Sequence, residues 1–323
     1  MFKKALTLAA IVLLFSCQGG QEKKATFQYQ GNPLFQDAFT ANPAPMVSSD
    51  GRLYVFCSHD EQYDDKPGYI GENGFNTTEW LCYSTADMKS WTPLGAVLKP
   101  SDFSWATGEA GPAQCVEADG KYYLYVSTRS LTRSSIGVAV ADRPEGPYKD
   151  ALGKPLILNG TEPSVMIDDD GTPWMSWKGN GGQCFMIRLK KSMTELEKDS
   201  YTFQPDNFHG GPWLFKHKGV YYVAYTSMGA GRQNLSYAVA NSLRGPWESK
   251  GELSGMAEDS FTIKAGIVEF KGKNYLFYHN GILALNGYGP STGRRSVSVE
   301  EMFYSADGTT IMPVTQTREG VSF

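Results

Sequence analysis

The residues with the clearest chemical meaning stand at one recurring place in the sequence, nine positions before a turn glycine. That place is occupied by Asn42, Gly111, Glu162, Gly210 and Ile263. Of these, only Glu162 exchanges a proton near neutral pH, because an amide oxygen is barely basic and glycine has no side chain. Acid–base catalysis by two groups needs one acceptor and one donor of protons. A lone carboxylate here predicts that such a reaction is lost or weak.

The turn glycines belong to a unit of a strand, a tight turn and a second strand. The unit recurs five times, at Gly51, Gly120, Gly171, Gly219 and Gly272. A third strand pattern follows in each unit, with room for a fourth. Units of about 50 residues with four strands are typical of β-propellers, so the sequence predicts an all-β protein, a five-bladed β-propeller. Since the first strand of each blade lines the central channel, the five positions are expected to converge on one pocket.

Composition agrees with one large folded domain. The chain has 323 residues, a formal charge of −4, 41% hydrophobic and 20% charged residues, with 35 Gly and 17 Pro for turns. This mixture excludes a disordered chain, a coiled coil and a collagen-like chain. No basic face is evident, which argues against nucleic acid as a partner. We expect a monomer.

The first residues are typical of an export signal. Lys3 and Lys4 precede an apolar run over residues 5–15, and Cys17 follows it. The run is short for a membrane span and has the length of a signal-peptide core. It resembles the lipobox of bacterial lipoproteins, which implies a signal peptide over 1–16 and a lipid on Cys17. The polar residues that follow, up to residue 30, predict a flexible tether, with the propeller over 31–323. The protein is therefore expected in the bacterial cell envelope, in the periplasm or on the outer-membrane surface. Ordinary secretion with an incidental cysteine is the alternative.

Over residues 31–315, the order of several short segments resembles glycoside hydrolase family 43, whose five-bladed propellers cleave arabinose- or xylose-containing plant glycans. The segments are 42–45, 58–61, 79–80, 84–91, 162–171, 211–213, 266–270, 277–280 and 294–297. The resemblance implies an oligo- or polysaccharide partner and a role in plant polysaccharide utilisation.

The resemblance also implies an inverting mechanism, and this chain departs from it. The family has an Asp base in the first blade, an Asp modulator in the third and a Glu acid in the fourth, where this sequence has Asn42, Glu162 and Gly210. Base and acid stand about 6.5–9.5 Å apart so that a water fits between them. One carboxylate cannot serve as both, so we expect hydrolysis to be lost or weak. A non-catalytic glycan-binding propeller, or a protein-interaction subunit, is the alternative.

Other residues are candidates for parts of the site. Glu109 is a candidate substitute catalytic group, against an exposed loop carboxylate, and His209 is a weaker one. The candidate sugar-binding residues are those near segments expected at the channel mouth. They are Glu79, Trp80, Trp105, Trp213 and Arg294. Packing is the alternative for the tryptophans.

No cofactor is expected to be required. His279 matches a family histidine that helps hold a calcium or sodium ion in the channel, and a hydrogen-bonded inner-strand histidine is the equal alternative. Cys57, Cys82, Cys115 and Cys184 lack the close spacing of zinc ligands and are expected to be buried free thiols. A Cys57–Cys82 disulfide is the alternative.

Overall fold

The computed structural model describes residues 25–61, 75–229 and 231–323. The predicted signal peptide and Cys17 lie outside these ranges. The described chain forms five antiparallel sheets arranged as a five-bladed β-propeller, which confirms the predicted fold. Its only described helical segment is a 3₁₀ turn at Pro100–Asp102. None of the described helical structure has the length and apolar character needed to cross a bilayer.

Each blade is a sheet of strands consecutive in sequence. Blade one has β1 (Phe27–Gln28), β2 (Thr40–Val47), β3 (Leu53–Asp60), β4 (Thr77–Thr85) and β5 (Ser90–Leu98). Blade two has β6 (Ala113–Ala118), β7 (Lys121–Ser130), β8 (Arg133–Ala141), β9 (Lys149–Asp150) and β10 (Ile157–Leu158). Blade three has β11 (Gly160–Ile167), β12 (Pro173–Gly179), β13 (Cys184–Arg188) and β14 (Tyr201–Phe203). Blade four has β15 (Phe208–His217), β16 (Val220–Gly229), β17 (Arg232–Ala240) and β18 (Glu248–Ser254). Blade five has β19 (Gly266–Phe270), β20 (Lys273–Asn280) and β21 (Ser296–Met302). The inner strand of each blade, called its first strand below, is the one that leads into the glycine turn: β2, β6, β11, β15 and β19 in blades one to five.

Glycine-containing turns join the first and second strand of every blade. The turn of blade two is the simplest, because Ala118 pairs with Lys121 and leaves only two residues between the strands. These are Asp119, with φ of 50°, and Gly120, with φ of 70°. Two left-handed residues in succession match the twist of a hairpin, which explains why an Asp-Gly pair marks the turn.

Large side chains buried between neighbouring sheets hold the blades together. Phe56 and Trp80 of blade one share a cluster with Leu124 of blade two, and all three are fully buried. Close packing of alternate strand residues from two sheets is the normal core of stacked β-sheets. The four cysteines of the described chain lie within this core as free thiols, so the predicted buried thiols are confirmed and no Cys57–Cys82 disulfide forms.

The start of the domain closes the ring onto blade five. The Leu34 N–H donates to the Val297 carbonyl at 2.7 Å. The Asn32 side chain accepts from the Val299 N–H at 2.9 Å and donates to the Val299 carbonyl at 3.1 Å. The first and last parts of the propeller are thereby hydrogen-bonded along β21, which has no further strand of its own blade outside it.

The predicted tether extends too far toward the propeller. Phe27 pairs with Trp91 and Gln28 with Ser90, so β1 adds to the outer edge of blade one. The Phe27 ring also lies edge-on against Phe35, with centroids 6.5 Å apart. Burial of the Phe27 ring stabilises this short strand. The sequence analysis missed the strand because the surrounding residues are polar.

Candidate functional site

All five blades contribute to a pocket of about 320 Å³ where their first strands begin. Beneath it the channel narrows to a void of about 20 Å³. Four prolines line that void, one from each of the first four blades: Pro43, Pro112, Pro163 and Pro212. Pro43, Pro163 and Pro212 lie where the pairing of their strand is interrupted, and proline is tolerated there because its missing N–H breaks no ladder bond. Three of the residues directly before these prolines, Asn42, Gly111 and Glu162, line the base of the main pocket, and the fourth, Gly211, lines the void beneath it.

Three blades present that residue with one backbone conformation. Asn42, Glu162 and Gly211 have φ of 53°, 59° and 57°. The pairing of the first strand with the second breaks at each of them. Such an interruption is a β-bulge, which turns a side chain toward a new direction, here the pocket.

The predicted register is therefore wrong by one residue in blades four and five. The equivalent residue in blade four is Gly211 rather than Gly210. In blade five Lys264 lines the pocket, whereas Ile263 is fully buried in the core. The count from the turn glycine depends both on the length of the turn and on the number of strand residues before it, and neither is constant. Blades two, four and five all have two-residue turns, at 119–120, 218–219 and 271–272, yet the count holds in blade two and fails in the other two.

Glu162 is held in a buried ion pair. Its Oε1 lies 2.6 Å from Lys264 Nζ, and the side chains are 13% and 12% exposed. Its Oε2 accepts from the Gly211 N–H at 2.6 Å. Burial alone would raise the pKa of Glu162, but Lys264 and Lys178 outweigh burial and lower it. The carboxylate is therefore an anion at neutral pH, which makes it unable to donate a proton and weak as a base.

The glycines of blade four do not leave an empty place beside Glu162. A Cβ on Gly210 would lie 2.1 Å from Glu162 Oε2 and 2.8 Å from Lys178 Cδ. A Cβ on Gly211 would lie 2.8 Å from Lys264 Cδ. The space in which the resemblance expects an acid is occupied by the Glu162–Lys264 pair and the stem of Lys178.

Asn42 is fixed by neutral partners. Its Nδ2 donates to Ser58 Oγ at 3.0 Å, and that hydroxyl donates in turn to the Gly111 carbonyl at 3.0 Å. The single hydroxyl proton is thus used on Gly111, so Ser58 must accept from the Asn42 amide nitrogen. Asn42 can still offer its second amide N–H and its amide oxygen, and that oxygen is not a general base.

His279 lies behind Asn42, fully buried, with both ring nitrogens engaged. Nδ1 accepts from the Asn42 backbone N–H at 3.1 Å, so the ring proton is on Nε2, which lies 3.1 Å from Thr262 Oγ1. Burial, and then Arg295 and Lys264, hold the pKa of His279 well below its usual value.

These surroundings do not fit a calcium or sodium ion. Asp60 is a buried carboxylate nearby, but Arg295 holds both of its oxygens at 2.8 Å. The predicted ion would have to displace a hydrogen bond of His279 and lie beside two cations, which hard cations with oxygen ligands avoid.

Among the described residues, one group could present several ligands to a metal. His59, Glu61 and Glu79 place ligand atoms within 4.8 Å of one another. Lys99 Nζ already lies 3.1 Å from Glu79 Oε2. The His59 hydrogen bond, with help from Lys99, lowers the pKa of Glu79. The sequence predicts that Glu79 binds sugar at the mouth of the channel. Glu79 is not among the residues that line the main pocket.

The three candidate tryptophan platforms do not line the main pocket either. Each indole N–H is bonded within the fold: Trp80 to the Gly111 carbonyl at 2.8 Å, Trp105 to Asp150 Oδ2 at 3.0 Å and Trp213 to the Ile267 carbonyl at 2.9 Å. Trp80 and Trp213 belong to the core, and Trp105 packs against it. The packing alternative is therefore correct, since a buried indole needs both apolar contacts and a partner for its N–H.

The aromatic group of the pocket is one that the sequence analysis missed. Phe75 lines the wall and stacks on Phe261, with ring centroids 5.4 Å apart. Phe261 is 44% exposed. Arg295 also lines the wall, whereas Arg294, the predicted sugar-binding arginine, does not. The Arg294 guanidinium instead lies 5.2 Å from the centre of the Tyr288 ring. The alternation of side chains at the start of a strand could have warned that only one of two adjacent arginines faces the pocket.

The two candidate substitute groups differ in position. Glu109 lines the pocket, as Glu162 does. His209 is exposed and is not a lining residue. Partial burial, then Lys178 and Lys264, lower the pKa of His209, so it is neutral at pH 7 and unsuited to donate a proton.

The comparisons agree with this architecture. The model of Glycosyl hydrolases family 43 matches residues 31–310, and the chain belongs to that family. It is 28% identical to the beta-D-galactofuranosidase xynD of Aspergillus niger, over 90% of this chain and 86% of that protein. It is also 28% identical to a beta-xylosidase of Xylanibacter ruminicola, over 85% of this chain and 97% of that protein. Among solved structures, the GH43_1 enzyme from Xanthomonas citri complexed with xylotriose is 27% identical, with a TM-score of 0.77 over 88% of this chain and 93% of that one.

Proposed function

We propose that this chain binds an oligosaccharide from arabinose- or xylose-containing plant glycans in the main pocket, and that inverting hydrolysis is lost or very weak. The family and its glycan-cleaving relatives support the ligand. The pocket has the means to hold a sugar, since hydroxyls, an amide and an aromatic ring surround it. Those groups are Ser127, Thr128, Thr262, Gln233 and Phe75.

One observation carries the loss of hydrolysis: the 2.6 Å ion pair of Glu162 with Lys264. Inversion needs a carboxylic acid to protonate the leaving oxygen and a carboxylate to activate water from the opposite side. Glu162 is an ionised carboxylate whose charge is balanced by Lys264, so it cannot donate a proton. Asn42 is an amide and Gly210 has no side chain, so neither position supplies the acid or the base. Losing one such group typically costs about 10²–10⁴ in rate.

Glu109 supports the second candidate, an active glycosidase with a rearranged site. It is the other carboxylate among the residues lining the pocket. In that case Glu109 and Glu162 would divide the roles of acid and base, with one of them facing the leaving group. The two candidates differ in one measurable outcome, the release of sugar.

The test combines binding and product analysis on purified protein. Wild type is mixed with arabinan, arabinoxylan, xylan or galactan oligosaccharides, and calorimetry and chromatography are run on the same samples. Binding without released sugar is expected. Sugar release that Glu162→Gln or Glu109→Gln abolishes, while Glu197→Gln on the exposed surface leaves it unchanged, would establish the glycosidase instead.

We further propose that the protein is a lipid-anchored monomer of the bacterial cell envelope. The lysines, apolar run and cysteine at residues 3–17 support the anchor. Membrane fractionation of cells that express the full chain tests this. Wild type is expected with the membranes, and Cys17→Ser is expected to lose that association; equal distribution of the two would contradict the anchor.

A further inference from the structure

Positive charge is unevenly distributed around the main pocket. Three lining residues are cationic, namely Arg129, Lys264 and Arg295. Lys264 pairs with Glu162, and Arg295 pairs with Asp60. These two pairs neutralise themselves, and the charged lining residues that remain are Arg129, a cation, and Glu109, a carboxylate; these two described residues form no ion pair with each other.

Arg129 has no ion-pair partner in the described ranges. It lies in β7, half-buried, and the carboxylates nearest the base of the pocket are already bound to other cations. Its Nε is shielded from solvent and donates to no group of the described chain. A shielded N–H on a charged group without an acceptor is costly. Because Arg129 lines the pocket, a ligand with acceptor atoms can reach the part of the side chain that faces the pocket.

A second cation without a described ion pair borders the same place. Lys178 of β12 runs past Gly210, and its charge lowers the pKa values of Glu162 and His209. Among the described residues that line or border the pocket, with Lys178 included as a bordering residue, the cations exceed the carboxylates by one. The cations are Arg129, Lys178, Lys264 and Arg295, and the carboxylates are Asp60, Glu109 and Glu162.

We propose that the pocket binds a sugar residue that carries a carboxylate, a uronic acid, and that Arg129 binds this carboxylate. The inference rests on the proposed glycan-binding function and specifies its ligand. A guanidinium presents a planar fork of donors that matches a carboxylate. A neutral pentose or hexose offers only hydroxyls at this point and leaves the excess charge unbalanced.

A matched pair of ligands tests the proposal without any mutation. One is a xylo-oligosaccharide that bears a single glucuronate, and the other is its carboxyl-reduced counterpart, which differs only in lacking the charge. Calorimetry at low ionic strength should show at least about tenfold tighter binding of the acidic form, as expected for a hydrogen bond to a charged group. That preference should shrink as salt is added.

Substitution of the arginine identifies the group responsible. Arg129→Gln should abolish the preference while changing the affinity for the reduced ligand less than about twofold, and Arg129→Lys should restore part of it, because charge returns without the fork. Arg143→Gln, an exposed arginine of the same blade, is the control and should behave as wild type. Because the ligand pair is first compared on wild type, the test survives even if a variant folds poorly.

The outcomes separate this inference from the function on which it rests. Equal affinity for the acidic and reduced ligands overturns the uronate assignment and leaves glycan binding intact. Failure of both ligands and of all neutral oligosaccharides overturns both. Tighter binding of a sulfated xylo-oligosaccharide than of the glucuronate form would show that any anion suffices and overturns the carboxylate assignment. Retention of the full preference by Arg129→Gln would overturn the role of Arg129.

Discussion

Two sides of the pocket base share one backbone device but differ in charge. Asn42 and Glu162 each stand at a bulge with positive φ, directly before a proline. The N–H of Asn42 donates to His279 Nδ1, and that of Glu162 to Ser127 Oγ at 2.6 Å. The Asn42 side chain then meets a neutral hydroxyl, whereas the Glu162 side chain meets an ammonium.

The difference shows how electrical charge is balanced at the base of this pocket. On the Asn42 side, an amide and a neutral imidazole require no counter-charge. On the Glu162 side, the carboxylate requires Lys264, and the pair occupies the space next to Gly210 and Gly211. The side chain that the resemblance expects at Gly210 would therefore have no room, because the Glu162–Lys264 pair occupies that space.

The largest effect is expected from breaking the charged side. Lys264→Met leaves the buried Glu162 carboxylate without its ion-pair partner, which typically costs about 3–5 kcal/mol, and the nearby Lys178 offsets part of this loss. Urea unfolding at pH 7 measures the loss. Adding Glu162→Gln should restore most of the stability, because the uncompensated charge is then gone.

Lys191→Met, on an exposed lysine, is the control for Lys264→Met and should change stability by less than about 0.5 kcal/mol. A Lys264→Met protein as stable as this control would show that the two sides do not differ in charge balance.

The crowding of the charged side predicts the next effect. Gly210→Ala introduces a Cβ where Glu162 Oε2 lies, at a φ of 137° that alanine rarely adopts. Such backbone strain alone costs about 1–3 kcal/mol, and displacement of the ion pair adds to it. Thermal and urea unfolding give the total.

Gly120→Ala separates strain from crowding. Gly120 also has positive φ, but nothing lies within 4 Å of its added Cβ. Gly210→Ala should be more destabilising than Gly120→Ala by at least about 1 kcal/mol. Equal losses would mean that Glu162 moves aside without cost.

The neutral side predicts a pH effect. Because the pKa of His279 is well below its usual value, the unfolded chain takes up a proton below about pH 6.5 that the folded chain refuses. Stability conferred by the neutral ring is therefore full above that pH and falls as the pH drops, by at most about 1.4 kcal/mol per unit.

Unfolding of His279→Asn at pH 7 and pH 5 tests this effect. Asn retains an acceptor for the Asn42 N–H but does not titrate. Between pH 7 and pH 5, the free energy of unfolding of the variant should therefore fall by about 2 kcal/mol less than that of wild type. The exposed His209→Asn should show a smaller difference. An unchanged slope in His279→Asn would mean that the buried ring already accepts the proton.

The smallest effect is expected from placing a carboxylate on the neutral side. Asn42→Asp is nearly isosteric and supplies a base, but no acid faces it, so sugar release should not rise measurably. A clear rise in product would show that Glu162 or Glu109 can act as the acid after all.

The fold was largely predictable, because hairpin glycines and alternating strands are local signals that recur five times. The positions of Asn42 and Glu162 followed from the same repeat. Lys264 did not, since a fixed count assumes that every blade has the same number of residues between the pocket and the turn glycine, and blade five has one fewer. Trp80 and Trp213 were misassigned because sequence does not reveal that a buried carbonyl accepts from each indole.

The most direct test of the account is calorimetry and product chromatography on one sample of wild-type protein with arabinoxylan and glucuronoxylan oligosaccharides at neutral pH. The account predicts saturable binding and no released sugar. Sugar release that disappears in both Glu162→Gln and Glu109→Gln would contradict it, because two carboxylates of this pocket would then be sharing the work of acid and base.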